Sequence, residues 1–229
     1  VVALDHDGQQ LQPNDDVRAV AASYALDANI DYDESKSREG VVPVDPNRGR
    51  VIAEMFDSAP DSYSDPEMIA SHNAMAREVT AQYKALRNAG YQMIPWGSHG
   101  QPYRNSREMQ QDVRENKRIY YYKTLGQEES FGSGQTEMDQ LIKQNPLLRK
   151  AGGTVLDSEG VPHVQLVNDL FRAVHDIFGH AKEGHQFGPR GEENAWRQHV
   201  QMFTQAARPA MTSETRGQNS WVNYGPHLQ

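Results

Sequence analysis

Residues 164–203, VQLVNDLFRAVHDIFGHAKEGHQFGPRGEENAWRQHVQMF, constrain the fold more than any other stretch of this chain. Val167, Leu170, Phe171, Val174, Ile177 and Phe178 recur at i, i+3, i+4 and i+7, the spacing of one helix face. So broad an apolar stripe predicts a helix buried deep in a core. His175 lies on the flank of that stripe, four residues after Phe171 and three before Phe178, so it points inward or into an internal cavity. Gly179-His180 ends the pattern, a Gly-rich loop follows, and a second helical pattern opens at Glu192-Glu193. Two histidines and a carboxylate delivered by two adjacent helices make a metal site.

The spacing of the histidines sets a geometric condition. Five residues are about 500° of α-helical rotation, which leaves His180 about 140° away from His175. A distorted last turn at Gly179 would bring both to one ion. The zinc-protease pattern H-E-x-x-H has a four-residue spacing with Glu as base, and this chain offers neither. His175-Asp176-Ile177-Phe178-Gly179-His180 instead resembles the iron-binding H-[ED]-x-x-G-H motif of the pterin-dependent aromatic amino acid hydroxylases. The resemblance implies a 2-His-1-carboxylate triad with open positions on Fe(II). In it His175 and His180 are ligands, Asp176 is the acidic residue beside the first, and a Glu on the next helix is the third ligand. Pterin and 2-oxoglutarate both stay open as co-substrates. More loosely, residues 165–226 look like uncharacterised domains of bacteriophage polyproteins.

On the second helix Trp196, Val200 and Phe203 define the apolar stripe. Glu192 and Glu193 lie roughly 50° to either side of its centre at 100° per residue, so helical phase does not choose between them. We place Glu193 first and keep Glu192. His199, seven residues after Glu192, lies on nearly the same line as a further ligand or a supporting partner, and His185 in the loop is a gate or fourth ligand. Any one of these residues alone reads more simply as a satisfied core histidine, or as a glutamate stabilising a helix N-terminus. The set, with its spacing, points to a metal.

The segment after the site, RPAMTSETRGQNSWVNYGP at 208–226, interleaves Trp221 and Tyr224 with short polar side chains including Asn219. Arg216 suits a substrate carboxylate or phosphate, since its fork meets two oxygens. Arg190, between the two helices, is a second anion-binding candidate. Trp221 or Tyr224 would stack on a planar group. An equally good reading is a polar network that ties the C-terminus to the core.

Composition removes other chemistries. With no cysteine, thiolate zinc sites, iron–sulfur clusters, disulfides and a Cys nucleophile are excluded, so a metal must be held by His, Asp or Glu. A net charge of -8 argues against non-specific attraction to nucleic acid. No run of 18 apolar residues exists, as a membrane-spanning helix requires. The chain begins at Val1, which suggests a fragment or a piece of a longer protein. The expected compartment is the cytoplasm, or the host cytoplasm for a phage-encoded protein, and the oligomeric state is open.

The rest of the chain predicts an α+β, mainly α-helical fold, with helices around a central metal site and a few short strands. Residues 1–46 read as an extended or wrapping segment with one helix at Asp15–Tyr24, and 47–229 as a single domain with the site in 164–203. Helices are expected at Gly49–Phe56, from Asp65-Pro66 to Gly90, at Arg107–Asn116 under a Ser106 cap, and at Glu137–Gln144. Strands are expected at Tyr91–Trp96 and Lys117–Lys123, with a hairpin, or a loop with one short strand, at 150–163. His72, alone on the longest helix, reads as a surface or core histidine. Together these lead to a mononuclear non-haem iron(II) oxygenase or hydroxylase acting on a small-molecule or modified-residue substrate. The alternatives are a Zn or Mn hydrolase with the same ligands and a non-enzymatic phage-type structural or interaction module.

Overall fold

The computed structural model describes residues 10–37, 41–59, 65–124 and 145–228. The expected helix at Glu137–Gln144 lies outside these residues. Within them the fold is α+β and mainly helical. Its axis is the longest helix, α4 (Pro66–Asn88), where Asp65 accepts the Glu67 N–H and Pro66 occupies the first turn, both favourable at a helix start. Met75, Val79 and Leu86 of α4 are fully buried, at helical spacing, and face α6 (Val167–His175), whose Leu170, Phe171 and Val174 are also buried.

Two small sheets flank this helix pair. β1 (Gln92–Pro95) and β2 (Arg118–Tyr121) pair in parallel, with Gln92 opposite Arg118. The link is a crossover through α5 (Ser106–Asn116), as parallel pairing requires. Asn105, not Ser106, caps α5: its side chain accepts the Glu108 N–H, while Ser106 is buried as the first helical residue. β3 (Lys150–Leu156) and β4 (Pro162–Leu166) form an antiparallel hairpin, irregular between Lys150 and Thr154. Fully buried Asp169 of α6 ties together β4 and the segment after β2, accepting from Leu166 N, Thr124 N and His163 Nε2 at 2.8, 2.8 and 2.9 Å.

The N-terminal segment contributes α1 (Asp15–Asp27) to the same core, where Val17 and Ala21 are fully buried. It is held by Leu11 N to Gly184 O at 2.7 Å, Asn14 N to Lys182 O at 3.0 Å and an ion pair from Arg18 to buried Glu183. A single turn, α2 (Glu34–Ser37), leads to α3 (Pro46–Ser58). Among the described residues no helix is long and apolar enough to cross a membrane.

The site-bearing part closes the chain. α6 runs straight into a turn of π-helix, Asp176–Ala181, α7 (Pro189–His199) follows, and α8 (Arg208–Thr212) continues through a second π turn, Ser213–Gly217, into α9 (Gln218–Tyr224). Gly191 fixes where α7 begins: a Cβ there would stand 1.4 Å from the Gln186 carbonyl oxygen. Gly191→Ala should therefore destabilise the protein by about 3 kcal/mol or more, at the top of the range for overpacking, read as a fall in chemical-denaturation midpoint. A loss under about 0.5 kcal/mol, the size of an ordinary surface change, would show that α7 is not anchored by this contact.

Candidate metal centre

His175 closes α6 and His180 sits within the π turn. In that turn the Lys182 N–H reaches back five residues to Ile177 O at 2.8 Å. Widening the winding from i+4 to i+5 lets residues five apart share a face, so the two rings meet with centroids 5.3 Å apart. The distortion demanded by the H-x-x-x-x-H spacing is therefore present and covers the whole turn. Gly179 makes room for it: a Cβ there would press on the His175 ring at 3.0 Å and on Ala195 O of α7 at 3.2 Å.

The third member is Glu192. Its Oε2 lies 3.3 Å from His180 Nε2 and 3.9 Å from His175 Nε2, and one ligand atom from each of the three residues falls within 4.8 Å of the others. Glu193, placed first on sequence, is engaged elsewhere. Its two oxygens accept from Arg216 Nη2 at 2.7 Å and Nε at 2.9 Å, and that guanidinium lies 4.3 Å over the Trp196 ring. Neighbouring helix positions are 100° apart, so only one of the two glutamates turns towards the histidines.

Hydrogen bonds on the far sides of the rings assign the tautomers. Gln82 Nε2 donates to Met202 O at 3.2 Å, leaving its Oε1 to accept from His199 Nε2–H at 2.7 Å. Burial keeps His199 well below its ordinary range, so the ring is neutral and its Nδ1 is an acceptor. His175 Nδ1–H donates to it at 3.0 Å, which leaves His175 Nε2 with a bare lone pair. That nitrogen is buried and has no hydrogen-bond partner among the described residues. His180 Nδ1–H likewise donates to His185 O at 3.2 Å, turning its Nε2 to the same point. Partners of this kind fix the orientation of metal-binding imidazoles.

Electrostatics are those of a site primed for a cation. Burial opposes the charge on Glu192, but His180 beside it, by its charge and its hydrogen bond, holds the carboxyl well below the usual range. Burial would also discharge His180, yet the Glu192 charge and hydrogen bond carry it up to about 9. Asp176 is raised by burial, against the pull of His180 and His175. Without a metal, a proton on His180 Nε2 bridges to Glu192.

His175, Asp176 and Glu192 form one wall of an open cleft of about 610 Å³, lined also by Tyr122, Asn168, Phe171, Arg172, Glu214 and Asn219, a typical ligand-site size; His180 lies buried behind them. Of the residues expected to touch substrate, Asn219 reaches this centre: its Nδ2 donates to Glu192 Oε2 at 3.2 Å. Tyr224 and Arg216 line a small pocket of about 60 Å³ that also contacts Glu192. Trp221 bonds Asp57 through Nε1 and stacks on His227 at 4.0 Å, tying α9 to α3. Arg190 is exposed at the start of α7. His185 is buried, and burial drives it down to about 3; its carbonyl, not its ring, serves the site. His72 is a buried residue between Met68 O and Glu214. Gln82 and Arg172 were missed in sequence. Arg172 was findable, because it precedes His175 by three residues on one helix face.

The three ligating groups, the bare Nε2 lone pair and the open cleft fit a divalent metal. Metal content measured on Glu192→Ala should fall from about one ion per chain to near zero. Glu193→Ala should keep the metal and lose about 1–3 kcal/mol of stability with its partly buried ion pair. Retained metal in Glu192→Ala would remove Glu192 from the site. Because metal must displace the His180 proton, apparent affinity should rise about tenfold per pH unit until it levels near 9. A flat profile between pH 6 and pH 8, taken on this scale, would contradict the His180 assignment.

No protein-family model matches this chain, and no curated protein or solved structure matches it.

Proposed function

We propose that the chain is a mononuclear non-haem iron(II) enzyme that uses dioxygen to hydroxylate or oxidise a small or modified substrate. One observation carries this reading: two imidazole Nε2 atoms and one carboxylate oxygen converge beside an open cleft, the donor set that suits Fe(II) with free coordination positions. The likeness of His175-Asp176-Ile177-Phe178-Gly179-His180 to the hydroxylase motif supports iron over zinc. Bound Fe(II) would supply dioxygen activation.

The chain's own groups do the rest. His199 with Gln82, and the His185 carbonyl, hold the two imidazoles with lone pairs facing the ion. Asn219 steadies the Glu192 carboxylate. Phe171, Phe178 and Phe203 ring His199 and keep water from the back of the site. Asp176, whose protonated form burial favours, lines the cleft one residue from His175 and can hand a proton to a bound substrate. We take the setting to be cytoplasmic, or the host cytoplasm, following the likeness to phage polyprotein domains.

The same three ligands beside an open cleft also fit a second reading, a Zn- or Mn-dependent hydrolase in which the metal would lower the pKa of a bound water. Protein purified without oxygen and loaded with Fe(II), Mn(II) or Zn(II) separates the two. The iron reading expects dioxygen uptake with Fe(II) only, lost in His175→Ala. Tight zinc uptake with hydrolysis of ester or amide probes and no oxygen consumption would establish the hydrolase. Stoichiometric metal that raises stability and supports neither reaction would leave a metal-stabilised structural module.

A further inference from the structure

The cleft holds a cation that the metal centre does not use. Arg172 stands one helical turn before His175 and lines the same cleft. Its side chain is largely buried. Nη1 donates to Tyr122 O at 3.0 Å, and Nε and Nη2 have no partner among the described residues. Burial pulls the guanidinium below its ordinary range, while Asp169 and Asp176 oppose this from beyond ion-pair distance. Asp169 is spoken for, with bonds to His163 and two backbone N–H groups. Nor is Arg172 at a helix end, because α6 continues into the π turn. The other arginines near the site are occupied or face away: Arg216 is clamped by Glu193, and Arg190 is exposed outside the cleft.

A guanidinium that lines a ligand-sized cleft with half its fork unused is placed to pair with an anion. Its planar fork matches a two-oxygen anion. The charge of that anion follows from the walls. Glu192 and Glu214 line the same cleft and would repel a doubly charged phosphate, whereas one negative charge is balanced by Arg172. Residues three apart on a helix have Cβ atoms about 5–6 Å apart, so a ligand of a few carbons spans Arg172 and the His175 face. Asn168 stands beside the path as a further hydrogen-bonding group.

We propose that Arg172 is the anchor for a carboxylate-bearing small molecule, whose acid group lies on its fork while the remainder reaches the face formed by His175, His180 and Glu192. The inference rests on the reading of that face as a metal site, and it names the class of molecule the site receives.

The test is calorimetric titration of acetate, succinate and benzoate, each beside its neutral amide, into the full chain with and without Mn(II). At least one acid should bind and its amide should not. Arg172→Met, which keeps the apolar stem, should weaken acid binding about tenfold or more. Its metal content should be unchanged and its melting temperature within a few degrees of the wild type, because the partly exposed fork makes one hydrogen bond, to Tyr122 O. Arg172→Lys should bind with intermediate affinity. Overturning results are no binding of any acid by the wild type, equal binding by Arg172→Met, or a lowered melting temperature in Arg172→Met with binding retained. A chain that takes up no metal but binds an acid through Arg172 keeps this inference and removes the metal reading. Stoichiometric metal with binding indifferent to Arg172 does the reverse.

Discussion

The π turn at Asp176–Ala181 is the constraint on which the rest of the site depends. A regular α-helix would send His175 and His180 to different faces, one towards the core and one away. Wider winding returns His180 to the side of His175, and it survives because both ends are held. Upstream, α6 is locked against α4 by Leu170, Phe171 and Val174. Downstream, the Lys182 and Gly184 carbonyls receive the N-terminal segment through Asn14 and Leu11. π turns are rare and gather at functional sites. This chain has a second one, Ser213–Gly217, which carries Glu214 to the cleft wall and Arg216 to Glu193.

Around that turn the core is unusually polar, and several of its polar groups support the site or the segment that holds it. His199 and Gln82 are buried to relay one hydrogen-bond direction from Met202 O to His175. Lys182, fully buried, is lowered to about 8 by burial while it donates to Tyr32. Glu183 is buried against Arg18. Buried polar groups are tolerated when every bond is made. Among the described residues His175 Nε2 is buried and left open, beside a cleft onto which the unused half of the Arg172 fork also faces.

The sequence carried the fold where periodicity and caps were strong. The α4 pattern with Asp65-Pro66 at its start and the stripe of α6 are both visible before any coordinates. It carried the site in part, since five-residue spacing with a glycine before the second histidine demands a local distortion. Two things were hidden. Glu192 and Glu193 straddle the α7 stripe almost symmetrically, so the choice depends on which neighbour takes the other carboxylate; that neighbour, Arg216, is 23 residues away in sequence. The cap of α5 also moved by one residue because Asn105 and Ser106 are both good caps, and only the backbone geometry decides. Long-range partners such as Gln82, 117 residues from His199, leave no local signal at all.

The most direct measurement is anomalous diffraction at the iron edge from crystals grown without oxygen and soaked in Fe(II). The account predicts a single strong peak within bonding range, about 2.0–2.2 Å, of His175 Nε2, His180 Nε2 and a Glu192 oxygen, with Glu193 still on Arg216. A peak bound by Glu193, a peak elsewhere, or no peak with the His180–Glu192 contact intact would contradict it.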